Sequence, residues 1–233
     1  MRSRMNVEMR EELLNRETAH AAMTALASVP IAFEVREVLD PTRAERGSAE
    51  FLGSAEPIAH PWTKDYDAIP GNHPVDWSAE FELSGWGLIS AWSEGRRLGS
   101  ALIVQGVLAI DLLEGRDDLA VLWDLRVVPE LRGRGVGTQL LRAAERWAAR
   151  RECRHLKVET QTLNVPACRF YAHSGYELLR VSEHVYPNLP DEVQVLWCRD
   201  LAATARRETQ QPARPENREP ARPEGGRLAW GDQ

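Results

Sequence analysis

The stretch LWDLRVVPELRGRGVGTQLLRAAERWAARR, residues 122–151, constrains the chain more than any other. Its first part alternates like a strand and stops at Pro129. Gly133, Gly135 and Gly137 follow at two-residue intervals. Val136, Leu140, Leu141, Ala144, Trp147 and Ala148 then recur at spacings of three and four, opposite Arg142, Glu145 and Arg146. That is the period of an amphipathic helix laid on a sheet. Glycine at three of five positions costs chain entropy that a plain turn does not require. The loop is therefore read as a place where backbone must come close to a ligand.

The neighbouring pattern extends the sheet. IAFEVREVL (31–39) alternates like a first strand, and GLISAWSEGRRLGSALIV (87–104) reads as two strands joined by a Glu94–Gly95 turn. AVLWDLRVV (120–128) supplies a third antiparallel partner. In HLKVETQ (155–161), Leu156 and Val158 point one way, Lys157 and Glu159 the other. Asn164 is placed to cap a short helix with Pro166 in its first turn and Gly175 at its end. YELLRVSEHVY and DEVQVLWCRDL close the domain as a strand pair. Residues 41–80, rich in Pro and Gly, are expected to be a long loop with a helical turn or two.

These elements predict an α/β (α+β) fold: one domain over 31–201, a mixed, mostly antiparallel twisted sheet flanked by helices. Residues 1–30 are expected to be a partly disordered extension, with Met23 an alternative start. Residues 202–233, where PARPE occurs twice, are too poor in apolar residues to pack and are expected to be a disordered tail.

Charge narrows the partners. The net charge is −6, and with six Arg against five acids in 202–233 and four against four in 1–30, the excess lies in 31–201. Only two lysines, Lys64 and Lys157, are present. Such a surface suits neither nucleic acid nor an anionic membrane and favours a cationic or amine-bearing small molecule. No apolar run is long enough to span a bilayer, and AAMTALASVP near the start lacks the apolar core of an export signal. Cys153, Cys168 and Cys198 show no CxxC spacing and are read as free thiols in a reducing cytoplasm. His60, His73, His155, His173 and His184 show no metal-ligand spacing, so no metal is expected.

The glycine loop excludes two phosphate-binding patterns. No Gly-Lys-Ser/Thr run occurs, which removes the Walker loop. Glu159 stands about where a dinucleotide fold places its ribose acid, but Thr138 stands where a GxGxxG pattern would continue, and four residues separate the strand from the first glycine. A third pattern, Arg/Gln-x-x-Gly-x-Gly/Ala, is met by Arg132, Gly135 and Gly137. With LRVVPELRGRGVG, the helix, the next strand, NVPACRFY and SGYEL in that order, the chain resembles the GCN5-related N-acetyltransferase (GNAT) superfamily. Its ending, YPNLPDEVQVLWCRDL, is similar to the streptothricin-type subset.

The resemblance implies an acetyl-CoA-dependent N-acetyltransferase acting on a primary amine of a small molecule, an antibiotic of streptothricin type being one candidate. Acetyl-CoA would be a co-substrate, its pantetheine paired with the backbone of Leu125, Arg126 and Val127. Its pyrophosphate would lie on the N–H groups of Arg132, Gly133, Arg134, Gly135, Val136, Gly137 and Thr138 at the positive end of the helix. Asn164 would border the same groove, and Arg132 and Arg134 could add charge. The resemblance gives Tyr171 the protonation of the leaving thiolate. Glu159 or Asp124 is the candidate base, directly or through water, each with an ion pair to a neighbouring Arg as the alternative. Trp62, Tyr66, Trp77 and Trp86, with Asp65, Asp67 and Asp76, are candidates for acceptor contacts, against a loop packed by its own tryptophans. A non-catalytic acyl-CoA-binding module is the alternative function, and a homodimer through the last strands is left open.

Overall fold

The computed structural model describes residues 6–202. The expected tail over 202–233 lies, beyond its first residue, outside the described residues. In chain order the elements are β1 (Glu8–Leu13), α1 (Ala19–Ala27), β2 (Phe33–Val38), α2 (Ser48–Gly53), β3 (Glu56–Lys64) and α3 (Pro74–Glu80). Then come β4 (Gly87–Ser93), β5 (Arg96–Gln105), β6 (Leu119–Val127), α4 (Val136–Arg150), β7 (His155–Gln161), α5 (Val165–His173), β8 (Glu177–Ser182) and β9 (Gln194–Asp200).

Seven strands form one sheet in the order β1-β4-β5-β6-β7-β9-β8, and β2 pairs with β3 in a separate ribbon. In the large sheet β6 and β7 run parallel, and every other adjacent pair is antiparallel. Glu94 and Gly95 join β4 to β5 with consecutive positive φ values of 50° and 76°, the twist that suits a two-residue hairpin.

Alternation along the strands loads both faces of the sheet. Ile103 and Leu122 join Leu140, Leu141, Ala144 and Trp147 of α4 in one core. Gly87 makes room there, since a Cβ on it would lie 2.4 Å from the Trp147 ring. Leu102, Val104 and Val121 face the other way, onto α1 and α3, with Met23, Leu26, Trp77 and Trp86.

This second core corrects the reading of residues 1–30 as an extension. β1 pairs with β4 along its whole length, and Met23 and Leu26 are fully buried. A chain starting at Met23 would lack β1 and the buried Leu14, Ala19 and Ala22. Met23→Ala is expected to cost about 2–5 kcal/mol, the usual range for truncating a buried Met, and urea unfolding checks it.

The loop expected over 41–80 is also corrected, because it holds α2, β3 and α3. Pro57 and Pro61 lie in β3, whose one ladder partner among the described residues is β2. A strand with one free edge tolerates proline, because the missing N–H can face away from the ladder.

Candidate active site

Two parallel strands that part company create the site. β6 and β7 are in register from Leu119↔His155 to Leu122↔Val158 and no further. The reason lies on the other edge of β6. Its register against β5 passes from Leu122↔Ile103 to Asp124↔Leu102, so Trp123 is an extra residue. Such a bulge bends its strand. Beyond it, residues 124–127 keep β5 on one side and, among the described residues, have no strand on the other. The divergence opens a cavity of ≈ 740 Å³. Leu125, Arg126 and Val127 line one wall, Glu159 and Gln161 the facing wall, and Asn164, Phe170 and Tyr171 the end near α5.

The glycine loop closes a further side. Gly133 and Gly135 have φ of +72° and +86°, a left-handed backbone that residues with a Cβ rarely adopt. It carries the chain straight into α4, whose first turn accepts at Gly135 O from Gln139 N at 3.2 Å. Gly135 itself offers no cap. The N–H groups of Val136, Gly137 and Thr138 therefore make no hydrogen bond among the described residues. A Cβ on Gly137 would sit 3.7 Å from both Val127 and Phe170, inside the groove those residues line. Free donors, missing side chains and the positive end of a fifteen-residue helix together fit an anionic group.

The two arginines of the loop differ in use. Arg134 is exposed and has no ion-pair partner among the described residues. Arg132 lines the cavity, and its guanidinium N–H groups are taken by backbone carbonyls. Its Nε donates to Val127 O at 3.0 Å, Nη1 to Ala32 O at 2.7 Å and Nη2 to Pro30 O at 2.6 Å. It ties the loop to the segment before β2.

Asp124 takes the ion-pair alternative. Arg126 Nε donates to both Asp124 oxygens at 2.9 and 3.0 Å, and its Nη1 and Nη2 reach Asp67 at 2.6 and 2.8 Å. Arg126 and Asp124 are buried. Burial raises the Asp124 carboxyl against the pull of Arg126. For Arg126 burial works against the charge, and Asp124 and Asp67 together override it, so the guanidinium stays charged. One guanidinium is thus shared between two carboxylates.

Glu159 has neutral partners only. Tyr186 Oη donates to its Oε1 at 2.7 Å and Gln194 Nε2 to its Oε2 at 2.6 Å. Burial raises its carboxyl, partly opposed by those two hydrogen bonds. The contacts continue along the wall. Gln161 Nε2 donates to Tyr186 Oη at 3.1 Å, while Tyr66 Oη lies 2.9 Å from Gln161 Oε1 and 2.6 Å from Glu192 Oε2. Lys64 is ion-paired with Glu192. Of the two candidate bases, Glu159 is thus the one not committed to a guanidinium.

Tyr171 is 5 % exposed, and its ring packs edge-on to Phe170 and Tyr176 at centroid separations of 5.1 and 5.6 Å. Its side chain borders the cavity, and its hydroxyl makes no hydrogen bond among the described residues. Burial first, then the charge of Asp124 and Cys168, raises its pKa and keeps the phenol protonated. Asn164 does cap α5, its Oδ1 accepting from Ala167 N at 3.2 Å. Cys168 lies on the buried face of the same helix, against Thr160, its thiol pushed up to about 11 by burial.

Of the residues offered for acceptor contacts, Tyr66 lines the cavity and Asp67 holds Arg126, while Trp77 and Trp86 pack in the second core against Trp123. Asp65 accepts from Asp67 N at 3.1 Å and Asp76 lies in the first turn of α3. Trp62 lines a smaller cavity of ≈ 420 Å³ with Val35, Leu189 and Glu192. Sequence reasoning missed Gln161, Tyr186, Glu192 and Gln194. Their one local signal is the period-two placement of Glu159 and Gln161 on the same face. Among the described residues no group of three or more His, Cys, Asp or Glu is placed to hold a metal ion, and no helix is long and apolar enough to cross a membrane.

Comparison with known proteins follows this geometry. The chain is 35% identical over 91 residues to streptothricin acetyltransferase of Escherichia coli, covering 38% of this chain and 52% of that protein. It is 36% identical over 80 residues to streptothricin acetyltransferase A of Bacillus subtilis (strain 168), covering 34% and 46%. The matches thus span about half the length of these curated relatives. Among solved structures, nourseothricin acetyltransferase superposes with a TM-score of 0.61 at 19% identity, over 84% of this chain and 98% of that one. A Bacillus anthracis protein solved with acetyl coenzyme A superposes with a TM-score of 0.58 at 20% identity, over 84% and 99%. At such identities the likeness is one of fold. The model of the acetyltransferase (GNAT) family matches residues 54–176, more than half of the chain and both of the strands that part, with the glycine loop, and the protein belongs to that family.

Proposed function

We propose that the protein transfers the acetyl group of acetyl-CoA to a primary amine of a small cationic molecule. The observation that carries this reading is the parting of β6 from β7, which sets a free strand edge, a row of unpaired helix N–H groups, Glu159 and the Tyr171 hydroxyl around one cavity. The unpaired edge at 125–127 suits the amides of pantetheine, and the N–H groups of 136–138 suit its pyrophosphate. A backbone N–H of 125–127 would hold the thioester oxygen as it gains charge. Glu159 takes a proton from the amine, the nitrogen forms the new bond to the acetyl carbon, the C–S bond breaks, and Tyr171 protonates the sulfur.

The free hydroxyl of Tyr171 favours catalysis over passive acyl-CoA binding, since a merely structural phenol at this depth would be hydrogen-bonded. The carboxyl of Glu159, free of any guanidinium, and the two streptothricin acetyltransferases among the relatives support a cationic acceptor, with streptothricin itself a candidate. Incubation with acetyl-CoA and a panel of streptothricin, polyamines and amino sugars tests this. CoA release with an acetylated product by mass spectrometry is expected for at least one cationic amine. Tight acetyl-CoA binding with no transfer to any of them would favour the binding module instead.

A further inference from the structure

The cavity wall carried by β7 is one hydrogen short. Four contacts run along it in sequence, from Glu192 Oε2 to Tyr66 Oη, to Gln161 Oε1, from Gln161 Nε2 to Tyr186 Oη, and on to Glu159 Oε1. Each contact needs one hydrogen. With both glutamates ionised, the two tyrosines and the Gln161 amide bring three, and Tyr66 faces two acceptors with a single hydrogen. Turning the Gln161 amide moves the shortage to Tyr186 and does not remove it. A second acceptor stands idle beside the chain. Gln194, opposite Gln161 in the β7–β9 register and 8 % exposed, donates to Glu159 while its Oε1 has no partner among the described residues. Buried acceptors left without donors are costly, and a donor-rich group relieves them.

We propose that this wall, with Tyr66, Gln161 and Glu159 at the cavity surface, is the seat of a primary ammonium group. In the empty protein the missing hydrogen is a proton on Glu159, and the ammonium releases it on binding. An ammonium brings three N–H donors and no acceptor, which is what the wall lacks. Glu159 holds the proton because burial raises its carboxyl and its partners are neutral, whereas Glu192 faces the ammonium of Lys64. With Glu159 protonated and the Gln161 amide turned, all four contacts close. The two cations nearest this wall are already paired, Lys64 with Glu192 and Arg126 on the facing wall with Asp124 and Asp67. Calling the ammonium that of the acetyl acceptor rests on the proposed acetyl transfer, but its binding does not.

The test is calorimetry of the full chain with 1,5-diaminopentane near neutral pH, in two buffers of unequal ionisation heat. Aliphatic amines titrate near about 10, so the diamine arrives charged. Any proton released comes from the protein, and about one per diamine bound is expected. Tyr66→Phe removes two contacts and one donor, which balances the wall, and the release should vanish. Glu192→Gln supplies the missing donor directly and should abolish it too, which keeps the test open if the first variant melts early. Binding without buffer dependence, no binding at all, or undiminished proton release in both variants would overturn the proposal. Proton release with the diamine, but no CoA liberated from acetyl-CoA by it or by any amine of the panel above, would leave the seat standing and remove the acetyl-transfer reading. CoA liberated with the diamine but no proton release would do the reverse.

Discussion

Gly135→Asp is expected to weaken acetyl-CoA binding on the order of 10²-fold relative to Gly135→Asn. The two side chains have nearly the same shape, and both tolerate a left-handed backbone better than most residues, so the strain at φ +86° is common to both. Nothing lies within 4 Å of a Cβ built at this position, so neither clashes with the protein. They differ in one negative charge beside the free N–H groups of 136–138. Two unit charges about 4 Å apart repel by about 4 kcal/mol at an effective dielectric of 20, and solvent at the open mouth reduces that to a value near the stated ratio. Calorimetry with acetyl-CoA checks the affinity, and matched melting temperatures check the fold. Equal affinities in the two variants would mean that the helix N-terminus does not hold the pyrophosphate.

How much of this was legible follows from which interactions are local. The helix over Val136–Arg150 and its buried face are written in a three-to-four spacing that needs no tertiary information, and the structure buries every apolar residue named for that face. The Glu94–Gly95 turn and the Asn164 cap are local for the same reason. β1 and α1 were not legible. EMREEL does not alternate like a half-buried strand, and it is held by pairing with β4 some eighty residues on. β3 hides behind two prolines that a strand with a free edge tolerates.

The site divides along the same line. The glycine loop is contiguous, so its chemistry can be read in order along the chain. The environment of the candidate bases cannot. Whether Asp124 is free depends on Arg126, two residues away, and also on Asp67, brought by a distant loop. Glu159 is held by Tyr186 and Gln194, from the segment after β8 and from β9. Arg132 matches the phosphate pattern in sequence, yet its side chain meets the carbonyls of Pro30 and Ala32 about a hundred residues earlier. A motif locates backbone well, but side-chain roles are decided by partners that sequence spacing does not reveal.

Tyr171→Phe is expected to lower kcat on the order of 10²-fold, the scale of a lost general acid. The ring stays between Phe170 and Tyr176, and the hydroxyl that goes makes no hydrogen bond among the described residues, so no donor or acceptor is orphaned. The melting temperature should therefore hold. Acetyl-CoA affinity should change little, because the strand edge and the helix N–H groups are untouched. The pH profile separates Tyr171 from Glu159. A base must be ionised, so activity should fall as pH drops through the raised pKa of Glu159, and that acidic limb should persist in the Phe variant. In Glu159→Gln the limb should disappear along with most of the rate, since no carboxylate remains there to titrate. Tyr171 stays protonated across the working range because burial raises its pKa, so it contributes no alkaline limb of its own near neutrality. Steady-state CoA release across pH, with a melt of each variant, reads all of this. Full turnover in the Phe variant would return Tyr171 to the core, and a lost acidic limb in that variant would mean that the limb does not belong to Glu159.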